Sequence, residues 1–370
     1  IAVFDFTSYW PSIIVTFNLS RSTLLEKKEK DALEVEIDEK KFYFSKKPDF
    51  FPSMLKEIIE KRKQYKKEFA KNPNPFTKAR SNAFKLLANA AYGYQGFFGA
   101  RYYCPEASAS TTAISRNFTK KTIELINNKG YTVIYSDTDS IAFLLNGKSE
   151  KQTLDFLKKI NLQLPGIMEL ELEGFFKRGL WVTKRTGAIG AKKKYALLGK
   201  DGKVKIRGFE TVRRDWCPLA RKMQDRVLRL VLDDGNEKKA LEYVVEIIKK
   251  LKQRKIEKEE LIIKTQLKKS LSDYKTISPH VIAARKMEEA KIPVGEGNLI
   301  EYYIAETKEK KKLVREKVKL PHEEGQYDLE YYLEHQILPA VENIFQVFGI
   351  EIKNMIDEQK KNQNRLSKWI

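Results

Sequence analysis

Two aspartates, Asp137 and Asp139, stand between two runs of β-branched and aromatic residues in segment 131–145, which reads YTVIYSDTDSIAFLL. Because Asp disfavours strands and favours turns, the pattern predicts two paired strands joined at a hairpin tip that carries both acids. The simpler interpretation is a polar turn. The alternative is half of a divalent-metal site, since hard cations such as Mg²⁺ bind carboxylate oxygens.

Asp5 is the candidate for a third carboxylate. The opening residues IAVFDF predict a strand that ends at Asp5, and Pro11 interrupts regular pairing in the segment TSYWPSII that follows. Three acids at strand ends suit a two-metal site, in which ions about 4 Å apart hold the attacking and leaving oxygens of a displacement. The backbone amides of Thr7, Ser8 and Tyr9 are expected on an irregular turn that can bind phosphate oxygens.

A helical hairpin is predicted between the first strand and the Asp137 hairpin. Apolar residues recur at helical spacing over 51–70, where the sequence KNPNP ends the pattern. A second helix is expected over 77–94, ended by Gly93 and Gly96.

Polar side chains on these two helices could bind a nucleotide. Lys85, Asn89 and Tyr92 stand at i, i+4 and i+7, so they share one face and suit phosphate, sugar and base in turn. Arg62 and Lys66 lie one turn apart on the other helix and could hold a triphosphate. The alternative for Arg62 and Lys66 is an ordinary solvated pair of cations.

Three glutamates, Glu169, Glu171 and Glu173, alternate with apolar residues in IMELELEGFF, which predicts a strand with the acids on one face. Three acids on one face repel one another unless solvent or cations intervene. A solvated face and support for a metal site both remain open.

A basic and aromatic cluster follows in the segment AKKKYAL, where Lys192, Lys193 and Lys194 precede Tyr195. Cations beside an aromatic ring suit a nucleic-acid backbone. The segment RGFETVRRDW then adds Arg213 and Arg214 at an expected domain hinge, after which the pattern is mostly helical and Lys-rich.

The composition favours a polyanionic partner. The 370 residues are 42% hydrophobic, enough for two or three packed units, and 71 Lys and Arg against 50 Asp and Glu give a formal charge of +21. Basic residues that neutralise phosphates release counterions and so favour nucleic-acid binding. A heat-adapted surface rich in Lys and Glu is the alternative explanation of the charge.

The remaining bulk features concern location. Cys104 and Cys217 match no zinc spacing and no disulfide framework, which predicts a reducing compartment. No run of about eighteen apolar residues and no signal peptide is present, so we expect a cytoplasmic, nucleoid-associated protein without a membrane partner. The chain begins at Ile1 inside an apolar run, which suggests a fragment.

Five ordered motifs resemble those of the family B (α-like) DNA polymerases. The segments DFTSYWPSII, KLLANAAYGY and YSDTDS are similar to motifs A, B and C, and KKKY resembles the family's lysine-tyrosine motif. The segments DYKTISPHV and DLEYYLEHQILPAVENIF are similar to its thumb. The resemblance spans nearly the whole chain, looks most like the archaeal replicative enzymes, and is specific because the motifs occur together and in order.

The resemblance implies an α+β right-hand polymerase and its reaction. The palm, an antiparallel sheet, would comprise 1–50 and 98–215, the helical-hairpin fingers 51–97, the mainly helical thumb 216–356, and a tail 357–370. The implied activity is DNA-templated addition of dNTPs to a primer 3′-hydroxyl on primer-template DNA, with two Mg²⁺ ions as cofactors.

Position within the motifs implies the role of each site residue. The catalytic residues would be Asp5, Asp137 and Asp139, and the metal ligands Asp5, Phe6 through its carbonyl, Asp139, Glu171 and Glu173. The nucleotide-binding residues would be Ser8, Tyr9, Trp10, Arg62, Lys66, Lys85, Asn89 and Tyr92. The DNA-binding residues would be Gly93, Lys192, Lys193, Tyr195, Arg213 and Arg214.

The chain departs from the family pattern in three places. Tyr9-Trp10 replaces the usual Leu-Tyr of motif A, so Trp10 would be the bulky residue that rejects a ribose 2′-hydroxyl. Ala90 replaces a usual serine in motif B. The resemblance does not include the family's N-terminal and 3′–5′ exonuclease domains, so we expect another chain or segment to supply that half of the polymerase.

The C-terminal residues QNRLSKWI resemble a peptide that binds a sliding clamp. Gln363, Leu366, Trp369 and Ile370 have the required spacing, and one helical turn would display the apolar anchors. An amphipathic tail can also dock on its own domain.

Two other functions compete with a catalytic polymerase module. One is a non-catalytic, clamp-recruited DNA-binding subunit that keeps the fold, which the intact acids argue against. The other is an RNA polymerase or reverse transcriptase, which Trp10 and the form of motif B disfavour.

Overall fold

The computed structural model describes residues 1–183, 190–307 and 313–352, apart from the side chains of residues 183, 190–192 and 234. The chain divides into two compact units, Ile1–Phe175 and Phe176–Ile370. The boundaries expected for palm, fingers and thumb stay predictions.

Strands of the first unit form two antiparallel sheets. The larger has the order β5-β6-β1-β7 within this unit, and the smaller the order β2-β4-β3. The strands are β1 Ala2–Phe6, β2 Leu24–Leu25, β3 Leu33–Ile37, β4 Lys40–Phe44, β5 Thr132–Asp137, β6 Ser140–Leu144 and β7 Leu170–Thr183, of which β7 continues into the second unit.

The predicted first strand is confirmed as β1, which runs one residue past Asp5. β1 lies between β6 and β7, and its apolar side chains are buried where helices pack on the sheet. The small sheet of residues 24–44 was not predicted. Residues LEVEI of β3 alternate strictly between apolar and charged, and a two-residue turn at Asp38 and Glu39 joins β3 to β4, so local signals for this hairpin were present and overlooked.

Helices of the first unit cover the larger sheet and extend from it. They are α1 Tyr9–Thr16, α2 Phe50–Lys71, α3 Pro75–Gln95, α4 Pro105–Asn128 and α5 Glu150–Asn161. Strand pairing ends at Phe6, as expected for the segment that contains Pro11, but Tyr9 belongs to α1 rather than to the predicted irregular turn. Pro11 is tolerated because the first turn of a helix has N–H groups without intrahelical acceptors.

The predicted helical hairpin is confirmed by α2 and α3. Asp49 caps α2 by accepting a hydrogen bond from the Phe51 N–H, and Asn74 caps α3 by accepting one from Thr77 at 2.9 Å. Gly93 does not end α3 as expected, because the helix continues to Gln95. A small apolar core joins this hairpin to α1, formed by Ile14, Phe51, Leu55, Ile59, Ala88 and Ala91.

The second unit combines helices with two small strand groups. Its helices are α6 Pro218–Arg229, α7 Glu237–Lys252, α8 Pro279–Glu289, α9 Leu329–Tyr332 and α10 Leu338–Gln346. Its strands are β8 Gly190–Gly199, β9 Val204–Arg207, β10 Ile263–Gln266, β11 Leu299–Ile304 and β12 Val318–Lys319. The antiparallel sheet β10-β11-β12 was missed by the prediction of a mostly helical region.

No helix in the described parts of the chain is both long enough and apolar enough to span a membrane.

Candidate functional site

Asp5 lies at the centre of a row of polar residues that crosses the larger sheet. It stands directly opposite Ser140 of β6 on one side and Glu171 of β7 on the other, and Asp137 of β5 stands opposite Ser140. Directly opposite residues of an antiparallel pair project to the same face with Cβ atoms about 4.5–5.5 Å apart. The fold therefore places these carboxylates on one face of the sheet.

Asp139 reaches the same place through the hairpin turn. The turn joining β5 and β6 consists of Thr138 and Asp139, as the sequence predicted, and the Asp139 carbonyl accepts a hydrogen bond of 2.9 Å from Phe6, the residue after Asp5. Asp137 lies two strands from Asp5, about 10 Å away at the usual strand spacing. Asp5 and Asp139 are therefore the closer pair by backbone position.

Backbone strain surrounds these acids. Thr138 has φ 57° and Ser8, the N-cap of α1, has φ 47°, both in the left-handed region. A β-branched residue such as Thr138 is rare there, and a non-glycine residue in this region costs about 1–2 kcal/mol. Strain of this kind is concentrated at functional sites, where the surrounding structure maintains it.

The oxygen donors fit a hard divalent cation. Carboxylates of Asp5 and Asp139 and the Phe6 carbonyl come from adjacent backbone positions, and such donors suit Mg²⁺ rather than a thiophilic metal. Within residues 1–183, 190–307 and 313–352, no three His, Cys, Asp or Glu side chains converge as a ready-made metal group. The backbone thus brings the acids together, and side-chain rotation must complete any coordination.

Cations of α2 pair with Glu171 of β7 and with Glu169, the residue before β7, and these side chains line a cavity of about 260 Å³. Lys66 Nζ lies 2.7 Å from Glu171 Oε1, and Lys63 Nζ lies 2.7 Å from Glu169 Oε2. Arg62 donates a hydrogen bond to Ser8 Oγ. The predicted nucleotide ligands Ser8, Arg62 and Lys66 therefore line one cavity together with Glu171.

These contacts shift two ionisation equilibria. Burial lowers the pKa of the Arg62 guanidinium, although the charges of Glu171 and Asp5 act in the opposite direction. Burial by itself raises the pKa of Glu171. The hydrogen bond and charge of Lys66 and the charge of Arg62 lower the pKa by more than burial raises it, so the net pKa lies below its ordinary value. Glu171 is thus held as a carboxylate that faces two cations.

The two residues that replace the usual Leu-Tyr point in different directions. Tyr9 is buried, stacks on Phe6 with ring centroids 4.1 Å apart, and donates a hydrogen bond of 2.7 Å to the Ser115 carbonyl. Burial raises the pKa of Tyr9. The prediction that Tyr9 binds nucleotide can therefore hold only for its backbone. The Thr7 N–H, also predicted to bind phosphate, already donates a hydrogen bond of 2.9 Å to the Glu169 carbonyl.

Trp10 is half-buried and packs on Tyr92 of α3, with ring centroids 4.2 Å apart. Its indole Nε1 is buried and has no hydrogen-bond partner. Asn89 and Lys85 lie on α3 one and two turns before Tyr92, respectively, and both are exposed. Gly93 lies in α3 with open space where a Cβ would stand, so packing does not require glycine there.

The predicted DNA-binding residues of the second unit lie on β8 and near α6. Lys193 is exposed and has φ 61°, whereas Tyr195 pairs with Arg207 of β9 and stacks on Trp181. Arg213 forms a bidentate ion pair with Asp215. Arg214 is exposed, and the side chain of Lys192 lies outside the described structure.

Comparison with known protein families identifies the family of this chain. The family model described as “DNA polymerase family B” matches residues 1–348. The chain belongs to DNA polymerase family B.

Similar proteins of the family are archaeal. A DNA polymerase of Thermococcus gorgonarius is 37% identical over 100% of this chain and 48% of its own length. DNA polymerase 1 of Pyrococcus abyssi (strain GE5 / Orsay) is 36% identical over 99% of this chain and 47% of its own length. The solved structure of the family B DNA polymerase from the hyperthermophilic archaeon Pyrobaculum calidifontis is 33% identical, with a TM-score of 0.68 over 95% of this chain and 45% of that one.

This family B chain therefore has the mixed helix and antiparallel-sheet fold of its relatives and spans about half their length. The family resemblance is confirmed. The clamp-binding peptide predicted at Gln363, Leu366, Trp369 and Ile370 lies outside the described residues.

The structure of this family B chain also shows a basic pocket that the sequence did not reveal. Arg116 and Lys120 of α4 line a cavity of about 350 Å³ beside Trp10 and Thr138, together with hydroxyls of α4. The two cations stand at i and i+4 of a helix, a spacing that could have indicated a common face. Only the tertiary structure places that face next to the strained hairpin.

Proposed function

We propose that this chain is the catalytic part of a DNA-templated DNA polymerase that adds dNTPs to a primer 3′-hydroxyl. The observation that carries the proposal is the placement of Asp5 opposite Glu171 and beside Asp139, under a cavity lined by Arg62 and Lys66. Membership of family B and relatives named DNA polymerases support the same activity.

The acids of the site would bind the metal ions needed for nucleotidyl transfer. Asp5 and Asp139, with the Phe6 carbonyl, would hold two Mg²⁺ ions, with Asp137, Glu171 and Glu173 supporting them. When bound, the ions would make the primer hydroxyl more acidic and stabilise charge on the phosphates.

Cations of the helical hairpin would bind the triphosphate. Arg62 offers a planar fork and Lys66 and Lys85 offer point charges, so together they can neutralise the leaving pyrophosphate, while Asn89 contacts it by hydrogen bonding. Lys66 must leave Glu171 to do so. Trp10, supported by Tyr92, would form the wall against which a ribose 2′-hydroxyl clashes.

The right-hand layout and the partners belong to the same proposal. Palm, fingers and thumb would occupy the ranges inferred from the motifs, and Gly93, Lys192, Lys193, Tyr195, Arg213 and Arg214 would contact primer-template DNA. The C-terminal tail would bind a sliding clamp. The relatives are about twice as long, which supports an N-terminal and exonuclease half supplied by another chain or segment.

Primer extension tests the proposal. The full chain is incubated with a labelled primer-template, Mg²⁺ and four dNTPs, alone and with a recombinant N-terminal half of an archaeal relative. Extension in either reaction, lost on chelation of Mg²⁺, is the expected result. Tight primer-template binding without extension in both reactions would contradict catalysis and support the non-catalytic DNA-binding subunit.

A further inference from the structure

The three consecutive lysines before Tyr195 do not act alike in the structure. Lys193 is exposed, whereas the side chain of the next residue, Lys194, is only 14% exposed. A buried lysine cannot bind a phosphate of a passing duplex without leaving its pocket. Lys194 therefore needs an explanation of its own.

Lys194 is held by a buried acid. Its Nζ lies 2.7 Å from Glu210 Oε1, whose side chain is 7% exposed, and 5.2 Å from the ring centroid of Phe209. The other carboxylate oxygen of Glu210 accepts a hydrogen bond of 2.6 Å from Gln224 Nε2. Both oxygens of the acid are thus satisfied inside the protein, as a buried charge requires.

The same cluster fixes the chain that leads to Arg213. Gln224, fully buried on α6, accepts hydrogen bonds from the N–H and the hydroxyl of Thr211 at 2.7 and 2.8 Å. It also donates to the Ala340 carbonyl of α10. Arg221 Nε donates to the Thr211 carbonyl at 3.0 Å. Every polar group of Thr211 is therefore tied to α6, two residues before Arg213.

The backbone on the other side of Lys194 is equally constrained. Lys193 adopts φ 61°, and the register of β8 against β7 shifts at this point. Gly208 lies against it with φ 68°, and a Cβ there would stand 2.1 Å from the Lys193 carbonyl oxygen. The irregular strand turns Lys193 outward while Lys194 points inward to Glu210.

We propose that Lys194 is a positioning residue rather than a DNA contact. With Glu210 and Gln224 it forms a buried polar cluster that fixes the backbone at Lys193 on one side and near Arg213 on the other, so that both cations are presented to a DNA backbone. The inference rests on the proposed function, since it assumes that Lys193 and Arg213 bind primer-template DNA.

The direction in which Glu210→Gln changes DNA affinity distinguishes a positioning role from a simple effect of charge. Glu210→Gln removes an acid, which by charge alone leaves binding to a polyanion unchanged or tightens it. Positioning requires the opposite, a loss of affinity of about fivefold, comparable to the loss of a phosphate contact. The measurement is fluorescence anisotropy of a labelled primer-template titrated with the full chain, with circular dichroism to show that each variant is folded.

A matched control and a direct contact calibrate the assay. Glu246→Gln removes an acid that is exposed and paired with Lys250 on α7, and it should not weaken binding. Lys193→Gln should weaken binding and lower the salt dependence of the logarithm of affinity by about one phosphate contact. Folded Glu210→Gln that binds as tightly as the unmodified chain overturns the inference.

A rescue variant distinguishes the two roles of Lys194. Lys194→Gln combined with Glu210→Gln leaves two amides and no unpaired charge, so positioning predicts affinity restored to within about twofold of the unmodified chain. If Lys194 contacts DNA directly, the second substitution cannot restore that contact. A double variant that binds primer-template no more tightly than Lys194→Gln alone therefore overturns the inference.

If the charge variants do not fold, Thr211→Val decides, because it keeps both charges and removes only the hydroxyl bond to Gln224. Weaker binding supports positioning and unchanged binding overturns it. An unmodified chain that binds no primer-template, either alone or with the N-terminal half, contradicts the proposed function itself, before any variant is compared.

Discussion

Lys66 and Glu171 form an ion pair, with Nζ 2.7 Å from Oε1, directly beside the carboxylate row that includes Asp5. A cation expected to bind triphosphate is thus paired with an acid of the sheet. Lys63 and Glu169 form a second such pair. A triphosphate carries more negative charge than one glutamate, so it can compete for Lys66.

Lys66→Met should therefore weaken nucleotide use far more than stability. Loss of a hydrogen bond between charged groups costs about 1.5–3 kcal/mol, or about tenfold to a hundredfold in kcat/KM for dNTP. The pair with Glu171 is half-exposed, so its loss should change the free energy of unfolding by less than about 1 kcal/mol. Single-nucleotide incorporation and urea unfolding measure the two effects, with Lys61→Met as the control on the same helix.

The same variant should change the pH dependence of stability. The pKa of Glu171 is lower in the folded protein than its ordinary value, so the pair stabilises the fold above the unfolded pKa. That contribution is lost as the pH falls through the folded pKa. In Lys66→Met, NMR titration should show the Glu171 pKa raised, and unfolding at acidic pH should lose less stability than in the unmodified chain. An unchanged Glu171 pKa would refute the pairing.

Asp139→Ala should abolish primer extension while leaving primer-template affinity within about twofold, because the carboxylate serves the metal site rather than phosphate contacts. Asp155→Ala on α5 is the matched control, since it removes only an exposed pair with Lys158. A variant lacking Asp139 that extends primers at the normal rate would contradict the active-site assignment.

Trp10→Ala should relax sugar selection, so that rNTPs are incorporated with an efficiency closer to that of dNTPs. Trp10→Phe should retain selection because it keeps a ring against Tyr92. It also removes the indole N–H that lacks a partner, and should therefore not lower stability. The comparison of rNTP with dNTP incorporation for the two variants is the measurement, and equal selectivity would exclude Trp10 as the sugar wall.

Gly208→Ala should destabilise the second unit more than Gly202→Ala. Both glycines have positive φ, which costs a non-glycine residue about 1–2 kcal/mol. Of the two, only Gly208 also lies against backbone, where an added Cβ would stand 2.1 Å from the Lys193 carbonyl oxygen, whereas a Cβ at Gly202 would face open space. Thermal unfolding of the two variants should show the larger loss for Gly208→Ala, and equal losses would argue against the close approach.

Gln363→Ala with Trp369→Ala should leave distributive synthesis unchanged and remove stimulation by an archaeal sliding clamp, because the tail would act only by tethering the polymerase. Primer extension with and without the clamp is the measurement. Stimulation equal to that of the unmodified chain would show that the tail serves another purpose.

The sequence by itself determined the local elements and the family. The hairpin of Asp137 and Asp139, the strand of Asp5 and the two helices of the hairpin follow from short-range periodicity and turn chemistry, and all are observed. The sheet β10-β11-β12 was missed because its strands are short and lie far apart in sequence. The hairpin β3-β4 carries local signals, an alternating LEVEI and a two-residue turn, that the prediction overlooked.

Only the tertiary structure decided which side chains meet. The register of β1 against β6 and β7 puts Asp5 opposite Ser140 and Glu171. A strained turn at Ser8 sends Tyr9 into the core and Trp10 toward Tyr92. An irregular strand separates buried Lys194 from exposed Lys193. Each outcome depends on contacts between residues far apart in sequence, which local residue patterns do not specify.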